Sequence, residues 1–481
     1  MAGEYLAANG IDLDAEMAKT QFEHDFANKA AQHIKTRAPP PQYSDVYPSG
    51  PLRKIVGVRL PHKPPSTLWD ISIADGKIFA IDSHASNSHD IGHNPSVLVA
   101  SGRLLAPSLC HAHIHLDKCF LLQDPKFADL QIEDGDFEEA MTLTSKSKSR
   151  FEEDDLLRRG RQLIEESIHF GVTVMRAFVE VDEEVEFKCL DAGLTLKKEF
   201  EKRCEIQICA FAQLPLFSGD DGGEEIRKLM TAAAHREGVD VIGSTPYVEE
   251  DEVKMKMNVR WISMMALFNN KPLDLHLDYH LDQSREPMIW SVLEIIKGRN
   301  WVERNGKSIT LGHCTRLTQF SADDWQRLKE EIGELPVSFV GLPMSDLFMM
   351  RTESGVRGTL PVPEMIEKYG LNAAIAVNNV GNAFTPQGNC DPLSVASLGV
   401  AVYHAGSNKG AEVLYECVSS RAKAAIGCPA ASLNLAVGDE ADFVLFDRIN
   451  VGWRCRKSIK EAVYDGGQSR QTIRNGKLTT Y

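Results

Sequence analysis

His113 and His115 stand one residue apart in the stretch 104–120, LLAPSLCHAHIHLDKCF. On an extended chain alternate side chains point the same way, so both imidazoles face one side. Two neutral imidazoles presented together suit a borderline-soft cation such as zinc or iron. The competing reading is two polar residues at a strand end. A third histidine nearby, His111, after an apolar run, tips the balance toward metal. That run, Leu104 to Leu109, reads as a buried parallel strand, too short for a helix and stopped by polar sequence.

The elements that must position these residues alternate short apolar strands with amphipathic helices. Helix Asp154 to Phe170 stops at Gly171, and strand Val172 to Val181 follows. Strands are expected at Glu205 to Phe211, Val239 to Gly243, Leu273 to His276, Ser308 to His313, Val337 to Leu342 and Ala373 to Val377. Helices between them are expected at Glu224 to Glu237, Met288 to Ile296 and Pro363 to Tyr369. Ser321 with Asp324 three residues on signals another helix start. Counting from Leu104, the pattern predicts an α/β fold with a (β/α)8 TIM-type barrel.

In such a barrel catalytic groups gather at the C-terminal ends of strands. Those ends carry His113 and His115, then Arg176, then Gln213, then His276, His313, and finally Asn378 with Asn379. Histidines at three separate strand ends predict one metal centre. His113, His115 and His276 are the expected ligands, holding one divalent ion, zinc or iron. Three histidines leave a fourth position open for water, as a catalytic site requires. For His313 the competing reading is a hydrogen-bonded structural histidine.

The barrel is expected over 107–432. Residues 1–51 read as a helical N-terminal extension closed by Pro39, Pro40 and Pro41. Residues 52–106 carry β signals, with two alternating runs joined through Asp75-Gly76 as a hairpin. At the other terminus Gly438 to Phe446 reads as turn then strand, Ala462 to Tyr464 as a further strand, and Asn475-Gly476 as a turn. Neither β segment can bury a core alone, so 52–106 and 433–481 are expected to pair into one small discontinuous β-sandwich.

Bulk properties narrow the function. With 53 basic and 68 acidic residues the formal charge is −15, which argues against binding a phosphate backbone. No apolar run approaches a membrane span, and the acidic N-terminus does not read as a signal peptide. Ten cysteines without a CxxC pair, in a chain of 481 residues, suggest a reducing compartment, the cytoplasm. Gly-rich phosphate motifs are missing, so no nucleotide cofactor is indicated. The expected partner is a small-molecule substrate, with neither nucleic acid nor membrane; a homo-oligomer is compatible with the sequence.

Several segments together resemble the amidohydrolase superfamily, within it the cytosine deaminase branch. AHIHLDK at Ala112 to Lys118 is similar to that branch's first-strand motif, and LHLDYHLDQS at Leu275 to Ser284 to its fifth. GHCT at Gly312 to Thr315 resembles the sixth, and VNNVGNAFTPQGN at Val377 to Asn389 the eighth. AFAQ at Ala210 to Gln213 resembles the loop whose Gln holds a pyrimidine. The resemblance covers about residues 52 to 481. It implies a metal-dependent hydrolase of C–N bonds in which Gln213 binds substrate; Arg176 and Asn379, placed at strand ends, are the other expected substrate-binding residues.

Two positions depart from that pattern. The family's strand-eight Asp, which binds metal and takes a proton from its water, is Asn378, whose amide cannot act as a base near neutral pH. The branch's proton-shuttling Glu after the fifth-strand His is Tyr279, a phenol with an ordinary pKa near 10. His313, Tyr279 or Asp282 would have to take over proton transfer, and Asp278 is expected to point away from His276. The leading expectation is a deaminase or cyclic amidase acting on a small nitrogen-containing molecule other than cytosine. The alternatives are an isomerase, cyclase or lyase on the same scaffold, or a silent small-molecule-binding relative. Cys110, Cys119 and Cys314 receive no role. Asp346, Arg351 and Arg357 read as a covering loop, and Lys118 equally as a site or a surface lysine.

Overall fold

The computed structural model describes residues 50–85, 94–304, 306–447, 456–466 and 469–479. The extension expected over 1–51 lies, up to residue 49, outside the described residues. β1 (Lys54–Val58), β2 (Trp69–Ala74), β3 (Lys77–Ser83) and β4 (Val97–Val99) form one sheet in the order β3-β2-β1-β4. The hairpin between β2 and β3 turns at Asp75 (φ 50°) and Gly76 (φ 74°). Two consecutive positive φ values are what a two-residue hairpin turn needs.

The apolar run at Leu104 does not behave as one barrel strand. It splits at Ser108, whose hydroxyl meets Thr173 Oγ1 at 2.7 Å and Lys423 Nζ at 2.8 Å. β5 (Leu104–Pro107) pairs antiparallel with Phe443–Phe446 near the other end of the chain. The barrel begins only afterwards, with β6 (Leu109–His115), so the histidines lie within its first strand rather than beyond it. A run buried on both faces reads the same in a parallel barrel as in a sandwiched sheet, which is why the sequence did not separate them.

The barrel continues with β7 (Val172–Glu180), β8 (Glu205–Ala212), β9 (Val239–Ser244) and β10 (Leu273–Leu277). β11 (Ile309–His313), β12 (Val337–Gly341) and β13 (Ala373–Ile375) complete it. All eight are parallel and neighbour each other in chain order. The ring closes through a parallel bridge between Ile114 and Asn378. Helices cover the outside, among them Glu153–His169, Glu252–Phe268 and Ala322–Ile332. The last begins with the expected reciprocal cap: Ser321 Oγ accepts from the Asp324 amide at 3.2 Å, and Asp324 accepts from the Ser321 amide at 2.9 Å.

β14 (Phe443–Phe446), β15 (Arg470–Arg474) and β16 (Lys477–Leu478) join β5 in a second four-stranded sheet. Its strands alternate by face. Leu105, Phe443, Leu445 and Ile473 pack with Ile55, Val58, Ile71 and Ile78 of the first sheet. Leu104, Ala106, Val444 and Phe446 pack instead into the barrel's outer core. The contact is close: at Gly171 (φ 99°) an added Cβ would lie 2.1 Å from Val444 Cγ2. The segment Ala462 to Tyr464 is not a strand but lies within helix Ile459–Asp465. Ser458 caps it by accepting from the Glu461 amide, and Gly466 (φ 54°) ends it. That S-x-x-E signature was present in the sequence and outweighs a three-residue apolar run. No helix among the described residues is long and apolar enough to cross a membrane.

Candidate active site

β6 and β10 bring three imidazoles together at the barrel's C-terminal mouth. His113 Nε2 and His115 Nε2 each lie 3.1 Å from His276 Nε2. Alternation along β6 puts His113 and His115 on the inner face, and parallel pairing through the ring brings β10 across from them. Gly312 on β11 makes room, since a Cβ there would sit 2.9 Å from His113 Cε1. His313 joins from β11, and ring nitrogens of His113, His276 and His313 all lie within 4.8 Å of one another. His276 is thus the centre of the cluster, with His115 on one side and His313 on another.

Burial holds His113, His115 and His276 well below the ordinary imidazole range, assisted by the positive field of Lys118 and of the neighbouring rings. They are neutral near pH 7 and keep lone pairs for a cation. Nitrogen ligands 2.0–2.1 Å from a tetrahedral zinc stand roughly 3.3 Å apart, close to the 3.1 Å seen on either side of His276. Asn378 Oδ1 is buried without a hydrogen-bond partner beside them. Of these donors, His113, His276 and His313 have nitrogens that all lie within reach of a single divalent ion.

Asn378 holds a left-handed backbone (φ 70°), as do His313 (φ 66°) and Asp278 (φ 50°). Non-glycine residues rarely adopt this conformation, and clustering at one mouth marks a functional region. The Asn378 backbone stitches β6 to the eighth strand: its amide donates to His113 O at 3.2 Å and its carbonyl accepts from the His115 amide at 2.8 Å. Its side-chain Nδ2 donates to Ser345 Oγ at 2.7 Å, leaving Oδ1 toward the histidines' side.

His313 carries a buried carboxylate partner. Its Nδ1 lies 3.0 Å from Asp346 Oδ1. Asp346 Oδ2 also accepts from Thr359 Oγ1 at 2.8 Å and from the Leu342 amide at 3.1 Å. Asp346 had read as part of a covering loop; it sits instead in helix Pro343–Met349, fully buried. Tyr279 packs against His313 with ring centroids 3.9 Å apart and the rings tilted by 38°. Burial, then Asp346, pushes the Tyr279 phenol well above its ordinary range. It keeps its proton, so it can donate a hydrogen bond but is a poor shuttle.

A small cavity of about 20 Å³, room for roughly one water, lies among these groups. His115, His276, His313, Tyr279, Asn378 and Asn379 line it together with Gln213 and Lys118. Two expected site residues are elsewhere. Arg176 is fully buried beneath the mouth, donating to Asp274 at 2.8 Å, Thr310 Oγ1 at 2.7 Å, Gln207 at 3.1 Å and Ile426 O at 3.0 Å. These four hydrogen bonds hold its guanidinium inside the barrel. Asp282 is exposed and accepts from the Ser284 amide and hydroxyl, so it does not serve the cavity. Asp278 points away from His276, as expected, and accepts from the Met288 and Ile289 amides at the start of the next helix.

Lys118 is the residue the sequence undervalued. It is buried, donates to Glu180, and its Nζ lies 3.4 Å from Gln213 Oε1. Burial raises the Glu180 carboxyl, but Lys118 and Lys148 outweigh it and hold the group at about 2. The signal available was position: Lys118 follows His115 by three residues in a strand-end motif, where surface lysines are uncommon.

The parallel barrel carries added β sheets, and the histidine cluster sits at its C-terminal mouth. No family model matches the chain. The chain is 22% identical over 422 residues to N-isopropylammelide isopropyl amidohydrolase of Pseudomonas sp. (strain ADP), covering 86% of this chain and 93% of that one. Its fold is similar to 5-methylcytosine deaminase from Klebsiella pneumoniae liganded with 5-fluorocytosine, with TM-score 0.75, 23% identity, and 88% of this chain and 96% of that chain covered. It is also similar to N-isopropylammelide isopropylaminohydrolase from Burkholderia multivorans ATCC 17616, with TM-score 0.70, 22% identity, and 88% and 97% covered. Over most of its length the chain is thus similar in sequence and in fold to these enzymes.

Proposed function

We infer that this protein is a metal-dependent hydrolase of an exocyclic or ring C–N bond in a small nitrogen heterocycle, of the aminopyrimidine or aminotriazine kind named in its relatives. The observation that carries the reading is the convergence of His113, His115 and His276, 3.1 Å across His276, beside the unpartnered Asn378 oxygen. One divalent ion, zinc or iron, would be held by His113, His115 and His276, with Asn378 Oδ1 beside them to complete the set. When bound, such a cation supplies Lewis-acid activation of water.

The chain's own residues account for the rest. Gln213 and Asn379 orient the ring, and Lys118 donates toward a ring carbonyl oxygen. His313, braced by Asp346, takes a proton from water and returns it to the departing nitrogen. One water is consumed, a C–N bond breaks, a C–O bond forms and an amine leaves. Asn378 can approach the cation but takes no proton. Nine cysteines among the described residues are buried and unpaired, in keeping with a reducing compartment such as the cytoplasm.

One observation favours a second reading, non-hydrolytic chemistry on the same scaffold. Among the described residues that line the cavity, none is a carboxylate. Labelled water decides between them. A panel of aminopyrimidines and aminotriazines is incubated with metal-loaded enzyme in ¹⁸O water. Hydrolysis places the label in the product carbonyl. Product formed without label establishes the second reading, and no turnover across the panel contradicts both.

A further inference from the structure

Glu180 divides its carboxylate between two lysines that come from different parts of the molecule. Oε1 accepts from Lys118, which lines the reaction cavity, and Oε2 accepts from Lys148 at 2.6 Å. Lys148 also donates to Asp182. All four groups are buried. Ionised groups out of water must be paired, so these four hold one another in place.

Lys148 is the last residue of helix Phe137–Lys148. The first residue of the same helix, Phe137, lines the reaction cavity. Its ring meets Tyr247, Tyr279 and Phe384 edge-on, with centroids 6.3, 6.0 and 5.8 Å away. The helix therefore crosses the mouth, fixed at one end by aromatic contacts and at the other by an ion pair.

A cavity of about 20 Å³ holds roughly one water, far less than a six-membered heterocycle. A second cavity of about 450 Å³ lies beside it. Met141, Thr144, Ser145 and Lys148 of the helix form one wall of that larger space, and Gln213 and Phe384 border both. Substrate entry requires the partition to move, and this helix contributes to both spaces, with Phe137 on one and Met141 to Lys148 on the other.

We propose that helix Phe137–Lys148 is the door of the reaction cavity, and that Lys148 is a positioning residue which, through Glu180, holds the Lys118 ammonium in that cavity only while the door is seated. This rests on the reading that the cavity is the reaction site. Closing the helix completes the constellation, and lifting it withdraws the second cation from Glu180 and frees Lys118 to move.

The test follows lysine accessibility in the full chain, not turnover. Purified protein is reductively methylated with isotope-labelled formaldehyde and cyanoborohydride, and each lysine is read by peptide mass spectrometry. In the wild type, exposed Lys146 is modified while Lys118, Lys148 and the distant buried Lys423 are protected. Lys148→Met raises Lys118 modification by about tenfold, as a local opening does, while Lys423 stays protected. Lys148→Arg, which can reach both carboxylates, restores the protection. Because Lys148→Met leaves two buried carboxylates short of a cation, Phe137→Ala unseats the helix from its uncharged end. It exposes Lys118 and Lys148 together. Protection of Lys118 in either variant overturns the proposal, as does a parallel rise of Lys118 and Lys423. A failed substrate panel leaves this readout unchanged, so the two readings fail separately.

Discussion

The carbonyl of Asn378 accepts a hydrogen bond from the amide of His115 at 2.8 Å. One residue thus closes the barrel and hangs its side-chain amide beside the two β6 histidines. The backbone task is indifferent to side-chain chemistry, so an aspartate at 378 can occupy the same place. Its second carboxylate oxygen meets Ser345 Oγ, a hydroxyl able to donate. Asn378→Asp is expected to raise kcat on the accepted heterocycle by about 10²-fold, within the usual worth of a positioned base. Steady-state rates with metal-loaded variants check this, and an unchanged or lower rate shows that His313 already does that work.

Gly312 is the residue His113 leans on. A methyl group there would lie 2.9 Å from His113 Cε1 and 3.1 Å from Nδ1. Gly312→Ala is expected to weaken metal affinity about 10–100-fold, as disturbed support of a ligand does. Competition with a chelator of known affinity measures it, alongside a melting curve that stays near the wild type.

Arg176 and Asp274 form a fully buried pair at 2.8 Å inside the barrel. Arg176→Met leaves that carboxylate unpaired and is expected to cost about 3–5 kcal/mol of stability, whereas removing both charges costs much less. Denaturant unfolding of Arg176→Met and of the Arg176→Met, Asp274→Leu pair tests the difference. A single variant of wild-type stability but raised KM would return Arg176 to a substrate role.

How legible all this was depended on the kind of signal. The βα alternation and the histidine motifs are local and periodic, so Val172, Leu273 and Ile309 begin strands within a residue of where the pattern put them. Arg176 misled because its place at a strand suggested the mouth, while the inward radius it occupies is set by Asp274 and Thr310 on other strands. Glu180 and the true place of Asp346 were missed for the same reason: each matters through a partner far away in sequence, Lys118 and His313 respectively. Leu104 to Pro107 was assigned to the wrong sheet because burial on both faces erases the alternation that distinguishes them.

Stability against pH should carry the mark of the buried lysine pair. Burial opposes ionisation of Glu180, but Lys118 and Lys148 win and lower its pKa from 4.5 to about 2. A lowered carboxyl pKa stabilises the fold above the unfolded value, and the contribution disappears as pH falls through the folded one. Asp117 works in the opposite sense. Burial pushes it from 3.8 up to about 6, so its contribution is complete below 3.8 and is lost as pH rises through about 6. Glu180→Gln is expected to flatten the acid limb between about pH 4.5 and 2. Unfolding free energies across that range read it out, and an unaltered limb would remove Glu180 from the acid response.

The most direct test of the account is the metal content of purified protein, with and without His276. After loading with zinc or iron and desalting, the wild type should retain about one ion per chain, and His276→Ala close to none, because the substitution removes the nitrogen at the centre of the cluster. Retention of about one ion by His276→Ala, or no ion by the wild type, would contradict the proposed centre.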